Sequence, residues 1–300
     1  MNNIKLSVVI PVFNEEDSLK ELVRALSKTF SKNPETTELI FVDDGSTDNT
    51  FQVLAELKKD YKHPFKIICF RKNEGKSAAM SVGMAQARGE RIVTLDADLQ
   101  DDPEEIHKLL SKMDEGGFEM VVGWRENRQD PQGKIRSSFV FNNVVAQIGG
   151  LHLHDMNCGL KALTKNVALE IDLYGELHRF LPLLAYKAGF KVTEVPVVHH
   201  FRKYGVSKFT RSRILHAFFD LISTLFLLSF KNRPLQIFGL IGTFFIAIGL
   251  LILAYLSSLH FMGESIGSRP LLQLGILFFL FGFQIFSTGL LAELLVKLSG

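Results

Sequence analysis

Two carboxylates one residue apart, Asp96 and Asp98, close the apolar run Ile92-Val93-Thr94-Leu95 and are followed by Leu99, Gln100 and Asp101. The run reads as a buried strand that delivers acid to its carboxyl end, the edge of an open α/β sheet at which ligands bind. Asp96, Asp98 and Gln100 offer hard oxygen donors, which suit Mg²⁺ or Mn²⁺ when the ion is shared with phosphates. The chemistry indicated is a metal–diphosphate site. The acids further on have a structural explanation: Asp102 as N-cap, Pro103 at the first helical position and Glu104 and Glu105 in the first turn satisfy capping and the helix dipole. That explanation does not reach Asp96 and Asp98, which precede the helix and repel each other unless a cation lies between them. A calcium loop of EF-hand type is excluded, because Asp101 stands where that loop needs glycine.

The elements that must carry these residues alternate short apolar runs with longer amphipathic ones. Strands are expected at 6–11, 38–42, 65–70, 91–95 and 119–123, and helices at 18–30, 50–59, 77–88 and 103–113. This βα repetition predicts a Rossmann-like, mainly parallel sheet with helices on both faces. The first strand ends in Pro11-Val12-Phe13-Asn14-Glu15-Glu16, where proline should stop the ladder, and the second in Asp43-Asp44-Gly45-Ser46-Thr47-Asp48. Each alone reads as a turn or a capped helix start. With Asp96 and Asp98 they place acid at the carboxyl ends of three strands, where it can accept from a ribose diol or a base N–H. Asn73-Glu74-Gly75-Lys76-Ser77 fails as a Walker A loop, since Phe70 stands where that loop needs glycine, and no G-x-G-x-x-G follows the first strand. A nicotinamide dehydrogenase is therefore disfavoured. Gly75 instead opens the next helix, with Lys76 near enough to help a diphosphate.

Composition separates the chain into parts. No Asp, Glu, Lys or Arg occurs in 234–263 or in 270–292, and each stretch exceeds the roughly 20 apolar residues that cross a bilayer. The expected organisation is a catalytic domain at 1–210, an interfacial amphipathic helix within 211–232 and a transmembrane hairpin at 233–300, with spans at about 235–258 and 270–293. Arg202, Lys203, Lys208, Arg211, Arg213, Lys231 and Arg233 precede the first span, Lys297 follows the second, and the connecting loop carries only Arg269. That bias predicts both termini in the cytoplasm. Residues 5–10 read as a strand, so a signal peptide is not expected. In 214–226, Leu215, Phe218, Phe219, Ile222, Leu225 and Phe226 recur at helical spacing, interrupted by His216 and Asp220. The segment is too short to span; it reads either as a helix lying in the bilayer interface or as one packed under the catalytic domain. Cys69 and Cys158 are expected to be reduced and inert. The net charge of +2 gives nucleic-acid binding no support. His152-x-His154-Asp155 lacks the further ligands of a zinc site and reads as a turn with surface histidines, with Asp155 able to face a transferred sugar. His199 and His200 close a strand at 195–198 and are expected to be structural.

The ordered set Pro11-Val12-Phe13-Asn14-Glu15, Asp43-Asp44-Gly45-Ser46, Asp96-Ala97-Asp98-Leu99-Gln100-Asp101 and Pro103-Glu104 resembles the family 2 glycosyltransferases of GT-A fold. Within that family, Val122-Gly123-Trp124-Arg125, Cys158-Gly159-Leu160-Lys161, Glu176-Leu177-His178-Arg179-Phe180 and Arg202-Lys203-Tyr204-Gly205-Val206-Ser207-Lys208-Phe209 resemble the polyprenyl-phosphate glycosyltransferases, which act on dolichyl or undecaprenyl phosphate. The likeness spans essentially the whole chain. It implies that Pro11, Phe13, Glu15, Asp44 and Ala97 line a nucleotide pocket with Lys76 and with Asp96 near the ribose. It implies that Asp98 and Gln100, with Asp96, hold the metal on the diphosphate, and that Arg125, Arg136, Arg202, Ser207 and Lys208 reach donor or acceptor phosphates. The spacing around Asp130-Pro131-Gln132-Gly133-Lys134-Ile135-Arg136 departs from the pattern, which leaves Arg136 least secure. A homo-oligomer in a bacterial inner membrane, serving cell-envelope glycosylation, is implied as well.

Elementary chemistry points the same way. An alcohol acceptor needs a base, whereas a phosphate monoester, with a second pKa of about 6, is already anionic at neutral pH and needs positioning. Arg125, Lys134, Arg136, Lys161, Arg179, Arg202, Lys203 and Lys208 fit such a site, or equally a basic surface drawn to anionic lipid; for Lys203, Arg211 and Arg213 the second reading is preferred. The expected catalytic set is Asp96, Asp98, Arg125 and Asp155, working by inverting transfer of one sugar from a UDP- or GDP-sugar. A processive polysaccharide synthase is the alternative, but its Q-x-x-R-W motif is absent: the single tryptophan, Trp124, follows Val121-Val122-Gly123. A non-enzymatic membrane anchor would have no need of Asp96 and Asp98.

Overall fold

A computed structural model of the chain describes residues 4–31, 36–61, 64–126, 149–201 and 234–299, together with residues 142, 146, 147 and 203. The chain divides into two compact units, Met1–Leu225 and Phe226–Gly300.

The first unit is built on a seven-stranded sheet of order β3-β2-β1-β4-β6-β5-β7. Its strands are β1 (Leu6–Val12), β2 (Thr37–Asp43), β3 (Phe65–Cys69), β4 (Arg91–Thr94), β5 (Met120–Arg125), β6 (Lys161–Thr164) and β7 (Val192–Val197). β1 pairs parallel with β2 and β4, β2 with β3, and β5 with β7. Only β6 runs the other way, antiparallel to both β4 and β5. Val8, Val9, Ile10, Leu39, Ile40, Phe41, Ile92, Val93, Val121 and Leu163 are fully buried, as expected of strands covered on both faces. The helices α1 (Leu19–Thr29), α2 (Thr50–Asp60), α3 (Lys76–Ala85), α4 (Ile106–Gly116), α5 (Lys165–Glu170) and α6 (Leu181–Lys187) follow the strands. α1 buries Leu19, Leu22, Val23 and Leu26, the i, i+3, i+4, i+7 face of a helix laid on a sheet.

The antiparallel β6, which the alternation of runs did not foresee, decides where the site forms. Because β4 and β5 each pair antiparallel with β6, they are parallel to each other, and the carboxyl ends of β1 to β5 and β7 share one edge. β6 enters the sheet at that same edge, so residues 155–161 arrive beside the ends of β4 and β5. Pro11 does not stop the β1 ladder, which continues to Val12 opposite Asp43. On its other side β1 has no partner beyond Val9, so the missing N–H of Pro11 costs nothing there. α3 ends at Ala85 rather than at 88 because the following amides are captured elsewhere: Arg88 N donates to Glu38 Oε1 (2.7 Å) and Gly89 N to Ser7 Oγ (2.9 Å).

The second unit consists of α7 (Pro234–Phe261) and α8 (Pro270–Ser299). Both are long and apolar enough to cross a membrane, with mean hydropathies of 2.7 and 2.0. They pack through glycine: a Cβ on Gly242 would stand 2.8 Å from the Gly282 carbonyl oxygen, and one on Gly282 would stand 2.6 Å from that of Gly242. Leu240, Phe244 and Leu251 point outward from the pair, as lipid-facing side chains would. The expected interfacial helix at 211–232 lies outside the described residues.

Candidate active site

The loops at the carboxyl edge are tied to one another before any ligand is considered. Asn14, in the left-handed region at φ 53°, donates its N–H to Ser46 Oγ (2.9 Å) and accepts at Oδ1 from Thr47 N (2.8 Å). Glu15 N donates to Thr50 Oγ1 (2.9 Å). Pro11, Phe13 and Glu15 are thereby held, half-exposed, beside the end of β2. Asp44 is buried and accepts from Glu74 N (2.7 Å) and Gly75 N (3.0 and 3.2 Å). Burial nevertheless holds its carboxyl above the ordinary value. Gly75 takes φ 94°, a backbone that a side chain would strain, and starts α3 at Lys76.

Lys76 carries this loop to the acid at the end of β4: its Nζ lies 2.6 and 2.8 Å from the two oxygens of Asp96. Burial opposes the charge on Asp96, yet Lys76, with Lys161 and Arg125 beyond it, holds the carboxyl below its ordinary value. Gly159 closes over Asp96 from the β6 side, where a Cβ would come within 2.5 Å of Asp96 Cγ. Thr94 Oγ1 donates to the Gly159 carbonyl (2.9 Å) and fixes that approach. Ala97 is buried. Asp98, also buried, accepts from Gln100 N (3.2 Å), and Leu99 between them is left-handed at φ 59°. A strained non-glycine residue in such a turn is the kind of cost found at functional sites. The segment after β7 braces the turn, with His200 N donating to Gln100 O (2.8 Å) and an isolated bridge joining Asp101 to His199.

Behind this loop lies a buried charged cluster. Arg125, at the end of β5, donates Nε to Asp155 Oδ2 (2.6 Å) and Nη2 to Asp155 Oδ1 (3.0 Å). Burial works against the guanidinium, but Asp155 keeps it firmly charged. Lys161 is buried, donates to the Cys158 carbonyl, and is pulled below its ordinary value by burial. Its expected role as a base reaching a phosphate thus becomes one of support beneath the site. Arg179 pairs with Glu176 (2.8 Å). Asp101 is pushed up to about 7, by burial first and then by Asp96, Asp98 and Asp155, against Arg125. The paper zinc motif dissolves: His154 stacks on Trp124 at 4.2 Å and bonds Glu194, while Asp155 belongs to Arg125.

One sheet edge therefore brings together Pro11, Phe13, Glu15, Asp44, Lys76, Asp96, Ala97, Asp98, Gln100, Arg125 and Asp155. Lys134, Arg136, Arg202, Ser207 and Lys208 lie outside the described residues. Gly159 as a cradle for Asp96, and the Ser77–His178 contact described below, had no signal in local sequence because both are long-range.

The donor set fits a divalent cation shared with a substrate. Asp98 and Gln100 supply hard oxygens, and the four crowded carboxylates 96, 98, 101 and 155 face three bases, Lys76, Arg125 and Lys161. Among the described residues no group of three or more His, Cys, Asp or Glu could hold an ion.

The sheet, its strand order and its loaded carboxyl edge have the architecture of the GT-A fold. The chain belongs to the family described as glycosyl transferase family 2, which matches residues 7–170. It is 38% identical over 99% of its length, and 89% of the other protein, to a dodecaprenyl-phosphate galacturonate synthase from Rhizobium johnstonii. It is 34% identical over 98% of its length, and 85% of the other, to an undecaprenyl-phosphate 4-deoxy-4-formamido-L-arabinose transferase from Pseudomonas fluorescens. In fold it resembles glucosyl-3-phosphoglycerate synthase from Mycobacterium tuberculosis, solved with Mn²⁺, UDP-glucose and phosphoglyceric acid, at a TM-score of 0.58 and 16% identity over 75% of this chain and 79% of that one.

Proposed function

We propose that the enzyme transfers a single sugar, with inversion, from a nucleotide diphosphosugar to a polyprenyl phosphate at the cytoplasmic face of a bacterial inner membrane. The observation that carries this reading is the Lys76–Asp96 pair beside Asp98 at the end of β4, in a chain whose near full-length relatives are named for prenyl-phosphate sugar transfer. The sugar is expected to differ among such enzymes, and the nucleotide is expected to be UDP or GDP. A divalent ion held by Asp98 and Gln100, with Asp96 beside it, would supply neutralisation of the departing nucleoside diphosphate.

The chain's own residues do the rest. Pro11, Phe13, Glu15 and Asp44 shape the nucleoside end, and Lys76 lies where it can share its charge between Asp96 and the diphosphate. Arg125, fixed by Asp155, is proposed to orient a phosphate together with Arg136, Arg202, Ser207 and Lys208. The acceptor arrives ionised, so the site has no deprotonation to perform. The two apolar helices support a membrane-held enzyme working on an acceptor confined to the bilayer, which raises its effective concentration.

The test is transfer by the purified full-length protein in vesicles containing undecaprenyl or dolichyl phosphate, with Mg²⁺ or Mn²⁺. Turnover should vanish in excess EDTA and in Asp98→Ala, with the membrane fraction still folded. Undiminished transfer in EDTA would overturn the metal assignment, and no lipid-linked sugar from any UDP- or GDP-sugar would overturn the function.

A further inference from the structure

His178 lies on a short 3₁₀ turn, Leu177–Arg179, 101 residues from its partner Ser77. Ser77 is fully buried and His178 nearly so. The His178 main-chain N–H donates to Ser77 Oγ (3.0 Å), and the same oxygen lies 2.9 Å from His178 Nδ1. In the tautomer that carries the imidazole proton on Nε2, the serine hydroxyl donates to Nδ1 while its oxygen accepts from the main chain. Burial, with Lys76, Arg179 and Lys161 nearby, holds the ring well below its ordinary titration range, so it is neutral.

What this contact governs is the residue next to it. Residue 75 is pinned by its N–H to Asp44, and residue 77 by its hydroxyl to His178. Lys76 lies between the two anchors, and its ammonium reaches Asp96. A lysine side chain gives up rotamer freedom when it is held in one place, and a backbone fixed on both sides removes part of the cost of placing its ammonium. A serine–histidine bond is a costly way merely to fill a core, since an apolar pair of similar shape can serve nearly as well. Its distinctive contribution is a defined register at the first turn of α3.

We propose that His178 is a positioning residue: through Ser77 it sets the start of α3 so that Lys76 meets Asp96 and the diphosphate of the donor together. This rests on the reading of the edge as a nucleotide-sugar site. The predicted consequence is that His178 acts only through Lys76.

The experiment uses the full-length protein in vesicles with undecaprenyl phosphate and a panel of UDP- and GDP-hexoses, comparing His178→Ala, His178→Asn, Ser77→Ala, Lys76→Met and the double variant of Lys76→Met with His178→Ala. His178→Ala and Ser77→Ala should lower kcat/KM by about 10- to 100-fold, as for a small misplacement of a reacting group. Asparagine, whose Oδ1 can accept in place of Nδ1, should restore most of the loss. In the Lys76→Met background, His178→Ala should cost nothing further, because residues acting as one unit are not additive. Trace acetylation of Lys76, quantified by mass spectrometry, should rise in His178→Ala and Ser77→Ala and stay at the wild-type level in His178→Asn. Multiplying losses, no rescue by asparagine, or unchanged Lys76 reactivity in the folded Ser77→Ala variant would each overturn the inference while leaving the glycosyl-transfer reading intact. A wild-type protein that turns over no member of the panel would overturn that reading, and this inference with it.

Discussion

Replacing Gly159 by alanine adds one methyl group at the most confined point of the site. The new carbon would lie 2.5 Å from Asp96 Cγ and 2.6 and 2.8 Å from its oxygens. An ordinary contact begins at 3.4 Å, so one side has to retreat by about 1 Å, well into the steep repulsive wall. The main chain of residue 159 is poorly placed to do so. Its carbonyl is held by Thr94 Oγ1 (2.9 Å), and the next carbonyl, Leu160 O, accepts from Gly123 N (2.9 Å). Asp96, whose side chain is 31% exposed, is the group that can give, and moving it breaks the 2.6 and 2.8 Å contacts to Lys76. Overpacking should therefore cost no more than about 1–3 kcal/mol of stability. A displacement of about 1 Å at a reacting centre costs on the order of 100-fold in rate. The assay is steady-state sugar transfer alongside thermal unfolding for Gly159→Ala. A protein that stays folded and loses about 100-fold in kcat/KM fits the account; one that keeps kcat/KM within about twofold of wild type would refute the placement of Asp96 at the centre of the site.

Arg125→Met should destabilise the fold by about 3–5 kcal/mol, because it leaves Asp155 buried without its partner; combining it with Asp155→Leu should recover much of the thermal midpoint. For Glu38, burial raises the carboxyl, but Ser7 and the Arg88 main chain and guanidinium outweigh it and hold the group below its ordinary value. Its contribution is present above the unfolded-state pKa and lost as pH falls through the folded one, so Glu38→Gln should flatten the acid limb of the stability curve; an unchanged acid limb would contradict this. In the hairpin, Gly242→Leu should force α7 from α8 and lower the thermal midpoint of the detergent-extracted protein. Gly267→Leu, where an added Cβ meets nothing within 4 Å, should leave it unchanged.

The first half of the sheet was legible because its strands carry short apolar cores, Val8-Val9-Ile10, Leu39-Ile40-Phe41-Val42, Ile67-Ile68 and Ile92-Val93, separated by longer amphipathic segments such as α1 with its 3.6-residue stripe. The acid pair at 96 and 98 was legible because no local rule of capping required it. β6 was not, since Lys161–Thr164 is a four-residue strand, too short to show a period, and its direction is set by the two neighbours it joins. That gap hid the cradle at Gly159 and made Lys161 look like a surface base. Arg125 and Asp155 could each be named from sequence, but their pairing across 30 residues could not, and Ser77–His178 is the same case at longer range. Such contacts depend on the order of strands in the sheet, which local patterns do not encode.

The most direct test of the central claim is the structure of the lipid made when the full-length protein in vesicles is given undecaprenyl or dolichyl phosphate, Mn²⁺ and a panel of α-linked UDP- and GDP-sugars. Mass spectrometry and nuclear magnetic resonance of the extracted lipid should show one sugar joined to the phosphate with β configuration. A lipid bearing a chain of sugars, a product of retained configuration, or unmodified lipid phosphate with every donor would contradict it.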